Sequence, residues 1–292
     1  VYPSTPLQHI VAVIIEYYGC QAMLKHAMHY RWSYWAEQEA FLRCAFTLGS
    51  GAEMADKIMG RMSSYLPRLG VNQASIPLIE SSYHELLALL EAHFTEMPYL
   101  LGWQPSIADY GLIAPMFAHL GRDPVPLAVM QQRAPRVHRW VERMTAPGLD
   151  VVEYPQHAPG YVADDVLPAT LEAVLQHIAG EIFPELTDKL AFLQSWLDEQ
   201  QPADGAPVSE RPQIRQVGMV QTRFRGADIE VGVEPYLLYV LQRASAVMQA
   251  QPAESQQALS ARLARFGLAD ALPKAGAYRV GRRDNLECWL KV

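Results

Sequence analysis

Leu100-Leu-Gly-Trp-Gln-Pro-Ser-Ile-Ala-Asp-Tyr-Gly-Leu-Ile-Ala-Pro-Met-Phe117 is the stretch whose reading decides the fold. Its centre, Ser106-Ile-Ala-Asp109, fits a capping box. In that arrangement the serine hydroxyl accepts from an amide in the first helical turn, and the acid three residues on reaches back to the cap's own amide. The pattern predicts a helix starting at Ile107. Tyr110, Leu112, Ile113, Met116 and Phe117 follow at mixed three- and four-residue spacing, which predicts a core helix with most of its circumference apolar, kinked at Pro115.

The surrounding chain sets the class of protein. Its 292 residues are 50% hydrophobic and 19% charged, a globular composition with room for one large domain or two ordinary ones. The first apolar run, Ile10 to Ile15, stops at Glu16, far short of a membrane span, and no signal peptide is visible. A net charge of −7 argues against a broad nucleic-acid surface. Cys20, Cys44 and Cys288 are odd in number and widely spaced, so neither a disulfide framework nor a CxxC motif can be drawn, and a reducing, cytoplasmic setting fits best. The opening Val-Tyr-Pro-Ser-Thr-Pro, without methionine, suits a fragment, a processed form or the ordered portion of something longer.

Ser4-Thr-Pro6 reads as a helix entry, and one long helix is expected from there to about Tyr34, with a bend or close contact at Gly19. Further helices are expected over Glu37–Leu48, Ala52–Leu66, Ile76–Phe94 and Leu127–Met144. Val166–Glu199 is helical with an interruption near Pro184, and Gln200–Pro207 is a polar linker. Beyond it the period changes to two. Val220, Thr222 and Phe224 alternate, Arg225-Gly-Ala-Asp228 turns, and Ile229, Val231 and Val233 alternate back, predicting a hairpin at about 217–233. Two helices follow, Pro235–Ala250 and Glu254–Phe266, the second ended by Gly267, and a C-terminal strand is expected to join the hairpin.

Two segments carry a resemblance. Tyr99-Leu-Leu-Gly-Trp-Gln-Pro-Ser-Ile-Ala-Asp109 is similar to the capping-box segment of the C-terminal helical domain of glutathione transferases, and Pro135-Arg-Val-His-Arg-Trp140 resembles the P-x-V-x-x-W pattern that closes that domain. The resemblance spans residues 4–145, and the whole order is similar to the longer bacterial glutathione-transferase-like proteins. It implies a mainly α fold: an all-α domain over residues 1–148, additional helices over 149–200, and a small α+β extension over 201–292. It also implies that the opening helix borders a cleft for a small apolar electrophile, with Tyr18, His29, Tyr30, Arg31 and Trp32 as the substrate-binding candidates. Glutathione would be the co-substrate, held mainly by an upstream thioredoxin-like domain that also supplies the thiol-activating residue; neither is in this sequence, so no catalytic residue is assigned. A homodimer is compatible with the resemblance.

Each candidate has a structural reading beside the functional one. The aromatic run Met28–Trp35 suits either a pocket for an apolar, partly anionic ligand or a helix end packed on its neighbour. His26 and His29 lie three apart but lack a third ligand, so no metal is expected. Arg223, Arg225, Arg243, Arg279, Arg282 and Arg283 are either an anion site or solvated charges that discourage edge pairing. Ser106 and Asp109 are expected to be structural. Two functions stand: the electrophile-binding side of a glutathione-conjugation site, or a non-catalytic binding or interaction module on the same fold.

Overall fold

Residues 6–33 fold as two helices rather than one. In the computed structural model, which describes residues 1–146, 154, 156–209 and 215–292, α1 (Pro6–Tyr17) runs into a π-turn at Tyr18–Ala22, and α2 (Leu24–Ser33) starts beyond it. The break has a steric cause. A Cβ on Gly19 would lie 2.4 Å from the carbonyl oxygen of Gly111, and a Cβ on Gly111 would lie 2.4 Å from Cα of Glu16. Two glycines thus let two backbones touch where any side chain would part them, and the wider turn is the local adjustment that keeps the chain in contact.

The next helices are α3 (Trp35–Ser50), α4 (Ala52–Ser63), a short 3₁₀ turn at Leu66–Arg68, and α5 (Ile76–Glu96). α6 (Ile107–Pro115) begins where the sequence predicts and passes at Pro115 into a second π-turn, Met116–Leu120. The Ser106 hydroxyl accepts from Ala108 N at 3.2 Å, and Asp109 Oδ2 accepts from Ser106 N at 2.9 Å. Asp109 does more than cap. It is wholly buried and also accepts from the Ser106 hydroxyl (3.0 Å), Leu100 N (3.0 Å) and Trp140 Nε1 (3.1 Å). Burial pushes its carboxyl up from the ordinary value, and the donors around it pull the other way. Tyr110 and Phe117, expected in the core, are instead 46% and 45% exposed. α6 presses its narrow side, Ala108, Gly111 and Leu112, against its neighbours, so its other side meets solvent.

The helix expected over Leu127–Met144 is two helices, α7 (Pro124–Arg133) and α8 (Pro135–Thr145). Pro135 disfavours helical backbone at the residue before it, and Ala134 sits at φ −144°, ψ 66°. The second half contributes α9 (Ala169–Ile182) and α10 (Glu185–Gln200), interrupted at Pro184 as expected. The hairpin is β1 (Gly218–Phe224) with β2 (Ala227–Val233), antiparallel and in the register Phe224↔Ala227 to Gly218↔Val233. Its two-residue turn places Arg225 at φ 48° and Gly226 at φ 91°, the left-handed pair that suits a tight hairpin. α11 (Tyr236–Gln249) and α12 (Ala253–Arg265) follow, and Gly267 ends the latter at φ 75°. The C-terminal segment does not extend the first hairpin. It forms a second one, β3 (Tyr278–Arg283) with β4 (Leu286–Lys291), because Asp284 and Asn285, at φ 50° and 63°, make a tight turn of their own.

α1 lies between α6 and α11, and every residue from Ile10 to Ile15 is inaccessible to solvent. A helix apolar on all sides needs cover on all sides; here the cover from one side comes from the extension. The boundary expected at 148–149 falls outside the described residues, while the expected hairpin span matches. No helix among the described residues is long and apolar enough to cross a membrane.

These contacts rank three substitutions. Ser106→Ala should cost about 0.5–2 kcal/mol, the worth of a cap, and Asp109→Ala more, about 3 kcal/mol, because it strands several buried donors at once. Gly111→Ala should cost about 1–3 kcal/mol by forcing two backbones apart. Urea unfolding midpoints check the order; equal losses at Ser106 and Asp109 would mean that Trp140 and Leu100 do not depend on the carboxylate.

Candidate functional site

α2 distributes its side chains to several neighbours, and the aromatic run does not converge on one cleft. Tyr18, on the π-turn, is fully buried and donates to Glu181 Oε2 at 2.8 Å. His29 is hydrogen-bonded to Ser33 Oγ (2.9 Å) and Glu80 Oε1 (3.0 Å), while Tyr30 stacks on Tyr34 with ring centroids 5.6 Å apart. Arg31 forks onto Asp123 at 2.7 and 2.8 Å and donates to Ala118 O at 2.8 Å, a pair that ties α2 to the start of α7. Trp32 stacks on Trp35 and lines a cavity of about 320 Å³ with Arg43, Asp56 and Met59.

The largely apolar cleft lies along the side of α2 that Leu24 and Met28 share with Trp32. Leu24 and Met28, one turn apart, face the end of α4 and the 3₁₀ turn, which bring Arg61, Tyr65, Arg68 and Leu69. The ends of the first hairpin close the third wall with Arg215, Gln216 and Glu234, around about 420 Å³. The hairpin is held there by a backbone bridge between Leu69 and Val231. A narrow recess of about 30 Å³ runs on from this cleft past Leu24 and Leu69 to Lys25 and Glu185. Lys25 is buried, 3.0 Å from Glu185, which is also 2.6 Å from Lys189; the two cations hold the Glu185 carboxyl down at about 2 against the opposing effect of burial.

Behind the recess is a buried polar cluster that seats the hairpin on the bundle. Glu181 accepts from Tyr18 and from Ser82, and Arg225 in the hairpin turn reaches it at 3.3 Å. Arg225 also forks onto Glu85 at 2.9 and 2.7 Å. The Ser82 hydroxyl also lies 3.1 Å from His26 Nε2, which joins that imidazole to the cluster. Burial pushes His26 down and raises Glu181 to about 7, despite the hydrogen bond from Tyr18 and the nearby Arg225.

Other sequence candidates are placed elsewhere. Burial, reinforced by Glu16, pushes the Cys20 thiol up to about 12; Cys44 is exposed and Cys288 buried. Among the described residues no group of three or more His, Cys, Asp or Glu could hold a metal ion. The arginines expected to concentrate are mostly paired: Arg223 with Asp228, Arg225 with Glu85, Arg243 with Glu16, and Arg283 with Asp204.

Residues 73–147 match the glutathione S-transferase C-terminal domain, a span that holds α5 to α8, the capping box and Trp140. Over that span the chain is similar to the glutathione S-transferase C-terminal domain. No curated protein and no solved structure matches it. The cleft lies outside the matched residues, since its walls come from α2, the end of α4 with the 3₁₀ turn, and the ends of the first hairpin. Reading the sequence had pointed to α2 but to its aromatic residues; Arg61, Tyr65 and Arg68 at four- and three-residue spacing were the local signal for the opposite wall.

The buried acid makes a pH prediction. A carboxyl raised to about 7 in the folded protein holds its proton more tightly there than in the unfolded chain, so stability falls as pH rises from about 4.5 through 7. Glu181→Gln removes that dependence. The variant should therefore gain on the wild type between pH 5 and pH 8 in urea unfolding, and a constant difference would count against a protonation change at Glu181.

Proposed function

We propose that this chain supplies the electrophile-binding side of a glutathione-conjugation reaction. The observation that carries the reading is the three-walled cleft, whose apolar residues Leu24, Met28 and Leu69 can exclude water from a small apolar body in a protein with a glutathione transferase C-terminal domain. In the conjugation a thiolate sulfur attacks the electrophilic carbon; the C–S bond forms as the leaving group departs with its electron pair. The contribution of this cleft is to hold and desolvate the electrophile. Tyr18, His29, Tyr30, Arg31 and Trp32 fit a positioning role in this reading: their contacts with Glu181, Glu80, Tyr34, Asp123 and Trp35 fix α2, so that Leu24 and Met28 present a rigid wall.

The alternative, a non-catalytic binding module, draws support from the pKa values near the cleft. Cys20 at about 12 stays a thiol at neutral pH, and Tyr17, which lines the recess, is raised well above its usual value. Neither lowers the pKa of an incoming thiol. Under both readings the cleft binds the apolar part of a ligand, and turnover separates them.

Titration calorimetry with glutathione and with S-hexylglutathione tests the cleft. The hexyl chain should tighten binding at least about tenfold, given up to about 0.8 kcal/mol per buried methylene, and Met28→Trp should abolish the gain at a stability cost of about 1–3 kcal/mol. Equal binding of the thiol and its hexyl thioether would refute an apolar subsite. With an upstream thioredoxin-like domain joined to the chain, conjugation of an electrophile above the uncatalysed rate would then favour the enzyme; binding without turnover by that two-domain protein would favour the module.

A further inference from the structure

The lining of the cleft is not only apolar. Arg61, Tyr65 and Arg68 follow one another at four and three residues, so they fall on one side of the α4 terminus and its 3₁₀ continuation. Arg61 Nε donates to the Tyr65 hydroxyl at 2.8 Å, which fixes the guanidinium and leaves its terminal N–H groups unspent. Arg68 has no hydrogen-bond or ion-pair partner among the described residues, and neither arginine meets a carboxylate there. This contrasts with the third arginine of the cleft, Arg215, which is paired with Glu287 and lies 4.6 Å over the Tyr236 ring. In a chain of net charge −7, the cleft is lined by three arginines and one acid, Glu234. Two uncommitted guanidiniums beside an apolar chamber of about 420 Å³, within the roughly 300–1,000 Å³ of small-ligand sites, describe an amphiphile's site: a forked anion holder with room for a tail.

Resting on the reading of this cleft as a substrate site, we infer that its ligands are carboxylates with an apolar tail, the carboxylate held by Arg61 and Arg68 and the tail laid against Leu24, Met28 and Leu69. Glu234, on the hairpin wall, orients the ligand by repelling the carboxylate from that end. An electrophile for this site is therefore an unsaturated or halogenated acid rather than a neutral hydrocarbon derivative.

Decanoate and decanol, titrated into the full chain without any thiol, separate head from tail. Decanoate should bind at least tenfold more tightly than decanol. Arg61→Gln with Arg68→Gln should remove that tenfold advantage and leave decanol unchanged, while Glu234→Gln should tighten decanoate alone. Both arginines are exposed, and the decanol affinity of the double variant reports that its cleft is intact. Equal affinities for decanoate and decanol in the wild type, or a double variant that still prefers decanoate, would overturn the inference. Because no thiol is present, the result is independent of conjugation. A hexyl gain without a carboxylate preference would sink the anion subsite and spare the apolar cleft, whereas loss of both would sink the cleft itself.

Discussion

The buried carboxylate of Asp109 is the point on which the bundle depends. Two backbone amides, a hydroxyl and an indole converge on its two oxygens, and each of them donates, so only the carboxylate form satisfies all four. Through Leu100 it fixes the loop after α5, through Ser106 the start of α6, and through Trp140 the middle of α8. Trp140 in turn stacks on Phe94 of α5 with ring centroids 5.3 Å apart. One side chain thereby sets the relative placement of three helices, and the desolvation of its charge is offset by directed hydrogen bonds.

A second constraint acts through the absence of side chains. With α6 held by Asp109, Gly111 meets the backbone of α1 and its π-turn at a distance that only glycine permits. α6 thus fixes the axis of α1, and the π-turn swings α2 away so that Leu24 and Met28 face the end of α4. The cleft is a downstream result of that contact, completed when Arg225 docks the hairpin on Glu85 and Glu181.

Much of this was legible in the residues. Ser106, Asp109 and the P-x-V-x-x-W pattern are local signals, and their geometry is local too. The first hairpin was legible because its period and its Arg225-Gly226 turn agree. The split before Pro135 and the turn at Asp284-Asn285 were equally local, and both were readable from the restriction that proline imposes on its predecessor and from the tolerance of Asp and Asn for left-handed backbone. The cleft was a different matter. Its walls lie at residues 24–28, 61–69 and 215–234, and no periodicity relates them. The dense aromatic run of α2 spreads over several neighbours: His29 is taken by Glu80, Arg31 by Asp123, and Trp32 lines a cavity of its own. Which face of an aromatic helix looks into a cavity depends on partners that sequence spacing does not supply.

The packing of α1 has a consequence for the making of the protein. Its run from Ile10 to Ile15 leaves the ribosome well ahead of α11, one of its two main covers, which spans residues 236–249. At translation speeds of about 5–20 residues per second, that apolar helix waits on the order of ten seconds or longer before its cover exists. Nascent chains of intermediate length therefore present a naked strip of isoleucine and valine, the kind of surface that holdase chaperones protect and that crowded polysomes punish with co-aggregation.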